Sequence, residues 1–139
     1  MKQLSTRKSK EGAPLDGVDV VLADLDGVVY RGNQAIPFAV EALSRSAAEG
    51  HRVGYITNNA SRTDLQVAEH LSSFGLAVTA ADVVTSPQAA VRLLAKLVPA
   101  ASVILVVGGI GLVSEVEKAG FSVTRTAADQ PAAVIQGFS

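Results

Sequence analysis

The sequence predicts an α/β fold with a parallel sheet, and three observations support this prediction. Short apolar runs rich in valine alternate with longer stretches whose apolar residues recur at helical spacing. Each of the first four strand-like runs is followed by a stretch that can return the chain across the sheet, as parallel pairing requires. Apolar residues make up 48% of the 139 residues, which is enough for a sizeable buried core.

Six apolar runs, bounded by glycine or polar residues, predict the strands. They span residues 18–23, 52–56, 83–84, 101–107, 121–124 and 133–137. The first run is valine-rich and begins directly after Gly17, which is typical of a buried parallel strand.

Four stretches with apolar residues at helical spacing predict the helices between these strands. They span residues 38–48, 64–74, 86–97 and 112–119. In the second helix we expect Leu65, Ala68 and Leu71 to share one face. Ser86 is predicted to cap the third helix, with Pro87 at its first helical position.

Composition restricts the classes of function. A formal net charge of −1 argues against a broad basic surface, so nucleic-acid binding is not predicted. No apolar run approaches the ~20 residues that cross a bilayer, so no membrane partner is predicted. The absence of cysteine excludes thiolate catalysis and fits a cytoplasmic protein. Residues 1–16 are rich in Lys and Arg and are predicted to form a disordered basic tail.

Two polar clusters follow the first two predicted strands and are the candidates for chemistry. Ligands of open parallel sheets bind at the carboxyl ends of the strands, so we expect both clusters at one edge. Asp24 and Asp26 are separated by one residue, which places both carboxylates on one side of an extended chain. The two clusters comprise Asp24, Asp26, Gly27, Thr57, Asn58 and Asn59.

Two carboxylates this close ionise together only with a cation between them, or with surroundings that separate their pKa values. Hard oxygen ligands favour Mg²⁺ as that cation. An ionised Asp24 could then attack phosphorus and form an aspartyl phosphate, while Asp26 protonates the leaving oxygen and later activates water. The hydroxyl of Thr57 and the amides of the two following asparagines could hold the phosphoryl oxygens.

These segments resemble the motifs of a known family, the haloacid dehalogenase phosphatases. The resemblance is to the branch that contains NagD-like phosphatases, phosphoglycolate phosphatase and glycerol-3-phosphate phosphatase. DLDGVVYRGNQAIPFAVEAL resembles the family's nucleophile motif and flap, and GYITNNASRT resembles its second motif. TSPQAAVRLL, ASVILVVG and EVEKAGFSV resemble the start of its α/β cap.

The resemblance implies a fold, a reaction and a role for each site residue. The fold is the first half of a Rossmann-like core at residues 17–85, followed by the first part of an α/β cap at residues 86–139. The reaction is Mg²⁺-dependent hydrolysis of a small phosphorylated metabolite: a sugar phosphate, glycerol phosphate, phosphoglycolate or nucleotide. Asp24 becomes nucleophile and metal ligand, and Asp26 becomes acid/base and a metal ligand through its carbonyl. The implied phosphate-binding residues are Gly27, Thr57, Asn58 and Asn59.

The sequence departs from the family at two later motifs. The family's phosphate-neutralising lysine is missing, and so is its Gly-Asp motif that completes the magnesium site. Lys96 and Lys118 lie in predicted helices, and Asp82 and Asp129 have different neighbours. We therefore expect a chain roughly half as long as the intact family protein and inactive alone. Its uncovered apolar faces are expected to cause aggregation or pairing with a second copy.

Several alternatives stay open from the sequence. The chain could be an inactive fragment or a phosphate- or nucleotide-binding module, because the later lysine and acidic motifs are missing. The acidic cluster could be a solvated turn, and the second cluster a helix-capping turn. Residues 108–111 could form a dinucleotide-binding loop, although Ser114 stands where a third glycine is needed. His51 and His70 are expected to be solvated surface residues.

Arginine follows both polar clusters at a short distance. Arg31 and Arg62 could face a substrate, and a plain surface position is an equal expectation for each.

Overall fold

Two three-stranded parallel sheets follow one another along the chain. The computed structural model describes residue 12 and residues 14–138, so most of the predicted basic tail at 1–16 lies outside the described residues. The strands are β1 (Val20–Asp24), β2 (Tyr30–Arg31), β3 (Gln34–Ala35), β4 (Arg52–Thr57), β5 (Val83–Thr85), β6 (Val103–Val107), β7 (Ser122–Thr124) and β8 (Ala133–Gln136). The helices are α1 (Ala39–Ala48), α2 (Asp64–Ser73), α3 (Ser86–Leu97) and α4 (Ile110–Lys118).

The first sheet has the order β1-β4-β5, and its two pairings are parallel. The second sheet has the order β7-β6-β8 and is also parallel throughout. The predicted α/β class with parallel sheets is confirmed. Of the helices described within residues 14–138, none is both long and apolar enough to cross a membrane.

Each sheet has its own apolar core. In the first, Val67 and Leu71 of α2 pack against sheet residues such as Tyr55. In the second, Ile104 of β6 and Val116 of α4 are fully or almost fully buried. The α3 helix contributes to the second core, so the change from one core to the other falls close to the start of α3.

One face of the first sheet stays exposed in the described part of the chain. The helices α1 and α2 pack on the face that carries Tyr55 and Val83. The opposite face carries apolar side chains that are between about two-fifths and two-thirds exposed. These side chains are Val20, Leu22, Ile56 and Val84. We call this set the open face.

Three sequence-based assignments are corrected. Thr85, rather than Ser86, caps α3: its hydroxyl accepts the Gln88 N–H at 3.4 Å, and the Gln88 side chain accepts the Thr85 N–H at 3.1 Å. The buried face of α2 consists of Val67, Ala68 and Leu71, and Leu65 lies outside it with 56% of its surface exposed. The α4 helix begins at Ile110, ahead of the predicted start at residue 112.

The sequence pattern also missed the β2–β3 hairpin, which follows the first acidic cluster. Its strands pair antiparallel over two residues each, with Tyr30 opposite Ala35 and Arg31 opposite Gln34. Strands this short show no alternation of apolar and polar residues, so the pattern carries no signal for them. Gly32 in the turn has φ +56, a conformation that glycine adopts without strain.

Candidate active site

The two polar clusters meet at one edge of the first sheet. Asp24 is the last residue of β1, and its partner in the neighbouring parallel strand is Ile56. Thr57 follows directly at the end of β4 and pairs with Thr85 of β5. Because all three strands run in the same direction, these polar residues lie together at the carboxyl ends.

A shallow cleft of about 440 Å³ lies at this edge. Asp24 lines it together with Thr57 and Asn58, and Thr85 and Ser86 of the next strand and helix complete its polar lining. Its apolar wall is formed by Ile56, Val84 and Ala89. A volume in this range suits a small metabolite.

A buried leucine orients the acidic pair. Leu25 is fully buried between the exposed residues Asp24 and Asp26, so the two acidic residues occupy alternate positions of an extended segment. One carboxylate oxygen of Asp24 accepts the Leu25 N–H at 2.9 Å. The Leu25 carbonyl then accepts N–H groups from the following turn, including that of Val29 at 2.9 Å.

The turn after the acidic pair is closed by Tyr30. Gly27 has φ +79, which favours glycine, and its N–H donates to the Tyr30 carbonyl at 2.8 Å. The backbone of Asp26 also pairs with the backbone of Tyr30 in an isolated β-bridge. Gly27 lines a separate depression with Arg31 of the hairpin, and neither residue lines the cleft that contains Asp24.

The β4–α2 loop (residues 58–63) is held by bonds between its own side chains and backbone. The Asn59 N–H donates to the hydroxyl of Thr57 at 3.1 Å. The side-chain oxygen of Asn59 accepts from both the N–H and the hydroxyl of Ser61, at 2.8 and 2.7 Å. The Ser86 hydroxyl donates to the carbonyl of Asn58 at 2.9 Å. The structure therefore brings Thr57 and Asn58 to the cleft, whereas the oxygen of Asn59 is used inside the loop.

The two aspartates and Arg62, which follows the second cluster, act on the buried phenol of Tyr30. Burial raises the pKa of Tyr30 above 10.0, and the carboxylate of Asp26 raises it further. Arg62 lowers the pKa of the same phenol, and Asp24 raises it. The phenol of Tyr30 therefore lies near the positive charge of Arg62 as well as the negative charges of the two aspartates.

The two histidines are not the solvated surface residues that the sequence predicted. His70 is half-buried, and its Nε2 donates to the carbonyl of Gly32 in the hairpin turn at 2.9 Å. Its ring also packs edge-on against Tyr30, with ring centres 4.7 Å apart. His51 donates from Nδ1 to the carbonyl of Val18 at 2.8 Å. Both histidines connect distant segments, which no local pattern in the sequence indicates.

Residues 108–111 do not form an open dinucleotide-binding loop. A side-chain carbon added at Gly111 would lie 2.4 Å from the carbonyl oxygen of Arg62. The Gly111 N–H, at the start of α4, donates to the carbonyl of Ser61 at 3.4 Å. The β4–α2 loop therefore occupies the helix start that a pyrophosphate would need.

The acidic pair is the candidate for binding a metal ion. Among residues 14–138, no three acidic or histidine side chains come together as a metal-binding group. Two adjacent carboxylates still fit Mg²⁺, which keeps several waters and is commonly bound by one or two carboxylates together with substrate phosphate.

Comparison with known proteins shows which proteins this chain is similar to. Residues 21–122 match the profile of a family described as haloacid dehalogenase-like hydrolase. The chain is 45% identical over 122 residues to the D-glycerol 3-phosphate phosphatase of Mycobacterium tuberculosis, covering 87% of the chain and 33% of that protein. It is 40% identical over 109 residues to the glycerol-3-phosphate phosphatase of Gallus gallus, covering 78% of the chain and 35% of that protein. The chain thus spans about a third of the length of these curated relatives.

Solved structures show the same similarity. The glycerol phosphate phosphatase of Mycobacterium tuberculosis in complex with magnesium matches with a TM-score of 0.82 and 41% identity, over 89% of the chain and 37% of that structure. NagD from Escherichia coli K-12 matches with a TM-score of 0.71 and 30% identity, over 87% of the chain and 46% of that structure.

Proposed function

Because the chain belongs to the haloacid dehalogenase-like hydrolase family, we propose that it carries the nucleophile-bearing part of a phosphatase for small phosphomonoesters. One observation carries the proposal: the carboxylate of Asp24 lines the same cleft as Thr57 and Asn58. A nucleophile and donors for phosphoryl oxygens are therefore within reach of one small molecule.

In the proposed first step, a carboxylate oxygen of Asp24 attacks phosphorus and the bond from phosphorus to the ester oxygen breaks. Asp26 gives its proton to that leaving oxygen, so the alcohol departs neutral and an aspartyl phosphate remains. In the second step, Asp26 takes a proton from water as the water attacks phosphorus. Inorganic phosphate is released, and the Asp24 carboxylate and protonated Asp26 are restored.

The remaining polar residues of the cleft are proposed to hold the phosphoryl group. The hydroxyl of Thr57 and the amide of Asn58 face developing charge on the phosphoryl oxygens, where fixed donors contribute most. Gly27, in the turn after the acidic pair, and the side-chain NH2 of Asn59, whose oxygen is used inside the loop, are proposed to complete the phosphate site. A Mg²⁺ ion held by Asp24 and by the carbonyl of Asp26 would neutralise phosphate charge.

We propose glycerol phosphate as the first substrate to test. The Mycobacterium tuberculosis and Gallus gallus relatives are both named as phosphatases of this compound. Phosphoglycolate, sugar phosphates and nucleotides are the further candidates. The absence of cysteine supports a cytoplasmic location.

We also propose that the two sheets are two domains of this family, a core half at residues 17–85 and a cap part at residues 86–139. The separate apolar cores of the two sheets support this division. Substrate choice would then depend on residues of both parts, since the cleft combines β1 and β4 with the start of α3.

The test is phosphate release from glycerol 3-phosphate and from an aryl phosphate, with and without Mg²⁺. We expect no turnover by the 139-residue chain alone. A long form joins the chain to the remaining sequence of the Mycobacterium tuberculosis relative and is expected to be active with Mg²⁺. Asp24→Asn in this long form removes the nucleophile, and we expect activity to fall by about 10³-fold or more.

Folding of each protein is checked by circular dichroism, so that loss of activity is separated from loss of structure. Glu117→Gln, an exposed substitution in α4, is the matched control for replacing a carboxylate by an amide. Full activity in folded Asp24→Asn would overturn the proposal.

A further inference from the structure

The start of α4 packs against the β4–α2 loop with no space for a side chain between them. A carbon added at Gly111 would lie 2.4 Å from the carbonyl oxygen of Arg62 and 2.7 Å from that of Ala60. Both are backbone atoms, so neither can move aside as a flexible side chain would. Gly111 is not among the glycines with positive φ, so close packing, rather than backbone conformation, requires glycine here.

A second set of contacts holds the end of the same loop. Asp64, the first residue of α2, accepts from Lys118 in the last turn of α4 at 3.3 Å. Its other carboxylate oxygen accepts from the side chain of Gln88 in α3 at 3.1 Å. Its side chain is only 17% exposed, so this contact is partly shielded from water.

A third set of contacts comes from the start of α3 and from the chain after β8. The Ser86 hydroxyl, at the start of α3, donates to the carbonyl of Asn58. After β8, a carbon added at Gly137 would lie 2.9 Å from the Ala60 side chain. The loop is thus held by α3, by α4 and by the chain after β8, in addition to its own strand and helix.

We propose that Gly111 is a positioning residue for the β4–α2 loop. Its missing side chain lets α4 rest on the backbone of residues 60–62, which fixes the loop that presents Asn58 to the cleft. The inference rests on the proposed role of this loop in binding phosphate. Donors of this kind contribute only when they are held in place before the charge develops, so support from α4 contributes directly to the site.

The test is Gly111→Ala in the 139-residue chain, followed by backbone amide NMR. Alanine fits a helix, so the substitution acts through the contact with the loop. We expect the amide signals of Asn59 and Ser61 to shift and their hydrogen exchange with solvent to speed up. The amide signal of Leu25, which donates to the adjacent Asp24 on another strand, should keep its position. Titration with inorganic phosphate should show weaker binding than in the unmodified chain.

Two further variants separate this effect from general destabilisation. Gly120 lies two residues after the end of α4 with φ +83 and has no atom within 4 Å of an added carbon, so Gly120→Ala strains the backbone after α4 without touching the loop. It should leave the amides of Asn59 and Ser61 unchanged. Lys118→Met releases Asp64 without adding a carbon against the loop, and it should move the Ser61 amide by a smaller amount.

Unchanged loop amides in folded Gly111→Ala, or equal changes in Gly120→Ala, would overturn the inference. If Gly111→Ala does not fold, Lys118→Met decides, and an unchanged Ser61 amide then overturns it. Failure of the proposed function has a different signature. In that case the loop amides respond to Gly111→Ala, but the Asp24→Asn long form keeps its activity.

Discussion

At the scale of single residues, the acidic pair depends on the buried side chain between its two members. Leu25 is fully buried, and its backbone bonds to Asp24 on one side and to the following turn on the other. Burying a leucine contributes roughly 1.5–3 kcal/mol, so the fold itself holds the carboxylates of Asp24 and Asp26 on the opposite, exposed side. The spacing of these aspartates was readable from the sequence because alternation along a strand is a local property.

The roles of other residues near the site could not be predicted from the local sequence pattern. Ser61 bonds to Asn59 inside the β4–α2 loop, whereas Ser86 bonds to this loop, and Arg62 influences Tyr30, through contacts that tertiary structure creates. Their types are common in turns and at helix starts, so the local pattern assigns them no role. Only the position of Arg62, soon after the second cluster, indicated in the sequence that it could lie near the site.

The buried phenols give a prediction for alkaline pH. Burial raises the pKa of Tyr30 above 10.0, with Asp26 as the second cause, and burial followed by Asp82 raises the pKa of Tyr55. Each folded-state pKa lies above its unfolded value, so the stabilisation is complete below the unfolded pKa and is lost as pH rises through the folded pKa. We expect the free energy of unfolding to fall above about pH 10.

Urea denaturation at a series of pH values measures this loss. Tyr30→Phe should make the alkaline decline shallower, and Tyr55→Phe should remove a separate part of it. Ultraviolet absorbance of the phenolates gives an independent titration in each variant. An equally steep decline when both tyrosines are replaced would show that other groups cause it.

At the scale of elements, the apolar pattern predicted the strands of both sheets and the helices between them. It succeeded because each of these elements buries a face, and burial imposes a period on the sequence. Helix starts were predicted less well, because several candidate caps stand side by side. Thr85 and Ser86 are adjacent, and the choice between them depends on which hydroxyl reaches the N–H of Gln88.

The start of α2 allows a direct measurement of what a cap contributes. The Thr63 hydroxyl accepts the Gln66 N–H at 3.2 Å, and the Gln66 side chain accepts the Thr63 N–H at 2.9 Å. Thr63→Ala removes the first bond, so we expect a loss of about 1 kcal/mol in the free energy of unfolding. Urea denaturation measures the loss.

Thr63→Ser keeps the hydroxyl and is the matched control, with an expected change well below that of alanine. If serine and alanine destabilise the chain equally, packing of the threonine methyl group, and not capping, explains the effect.

At the scale of the whole molecule, the sequence predicted the order of the parts but not how they touch. The motifs shared with one family predicted a division between residues 17–85 and residues 86–139. The contact of Gly111 with the β4–α2 loop joins these two stretches and has no counterpart in the local pattern. Residues 108–111 therefore allowed a dinucleotide-binding loop as an alternative interpretation, because the sequence does not distinguish a glycine required by close packing from one required by a phosphate.

The open face of the first sheet leads to a prediction about the behaviour of the chain in solution. Leu22 is 64% exposed and lies in the middle of β1, between Val20 and Asp24 on the same face. Asp24 pairs with Ile56, which pairs with Val84, so the apolar side chains form a continuous surface that ends at the cleft. Contiguous apolar surface of this kind favours association between molecules.

We expect the 139-residue chain to associate with itself as its concentration rises, and Leu22→Lys to shift it towards monomer. Replacing an exposed leucine should change the free energy of unfolding by no more than about 0.5 kcal/mol, so folding is retained. Leu65→Lys is the matched control, because Leu65 is 56% exposed on α2, which covers the other face of the sheet. Size-exclusion chromatography with light scattering measures the mass at each concentration. A monomer at every concentration, or an equal effect of both lysines, would show that the open face does not drive association.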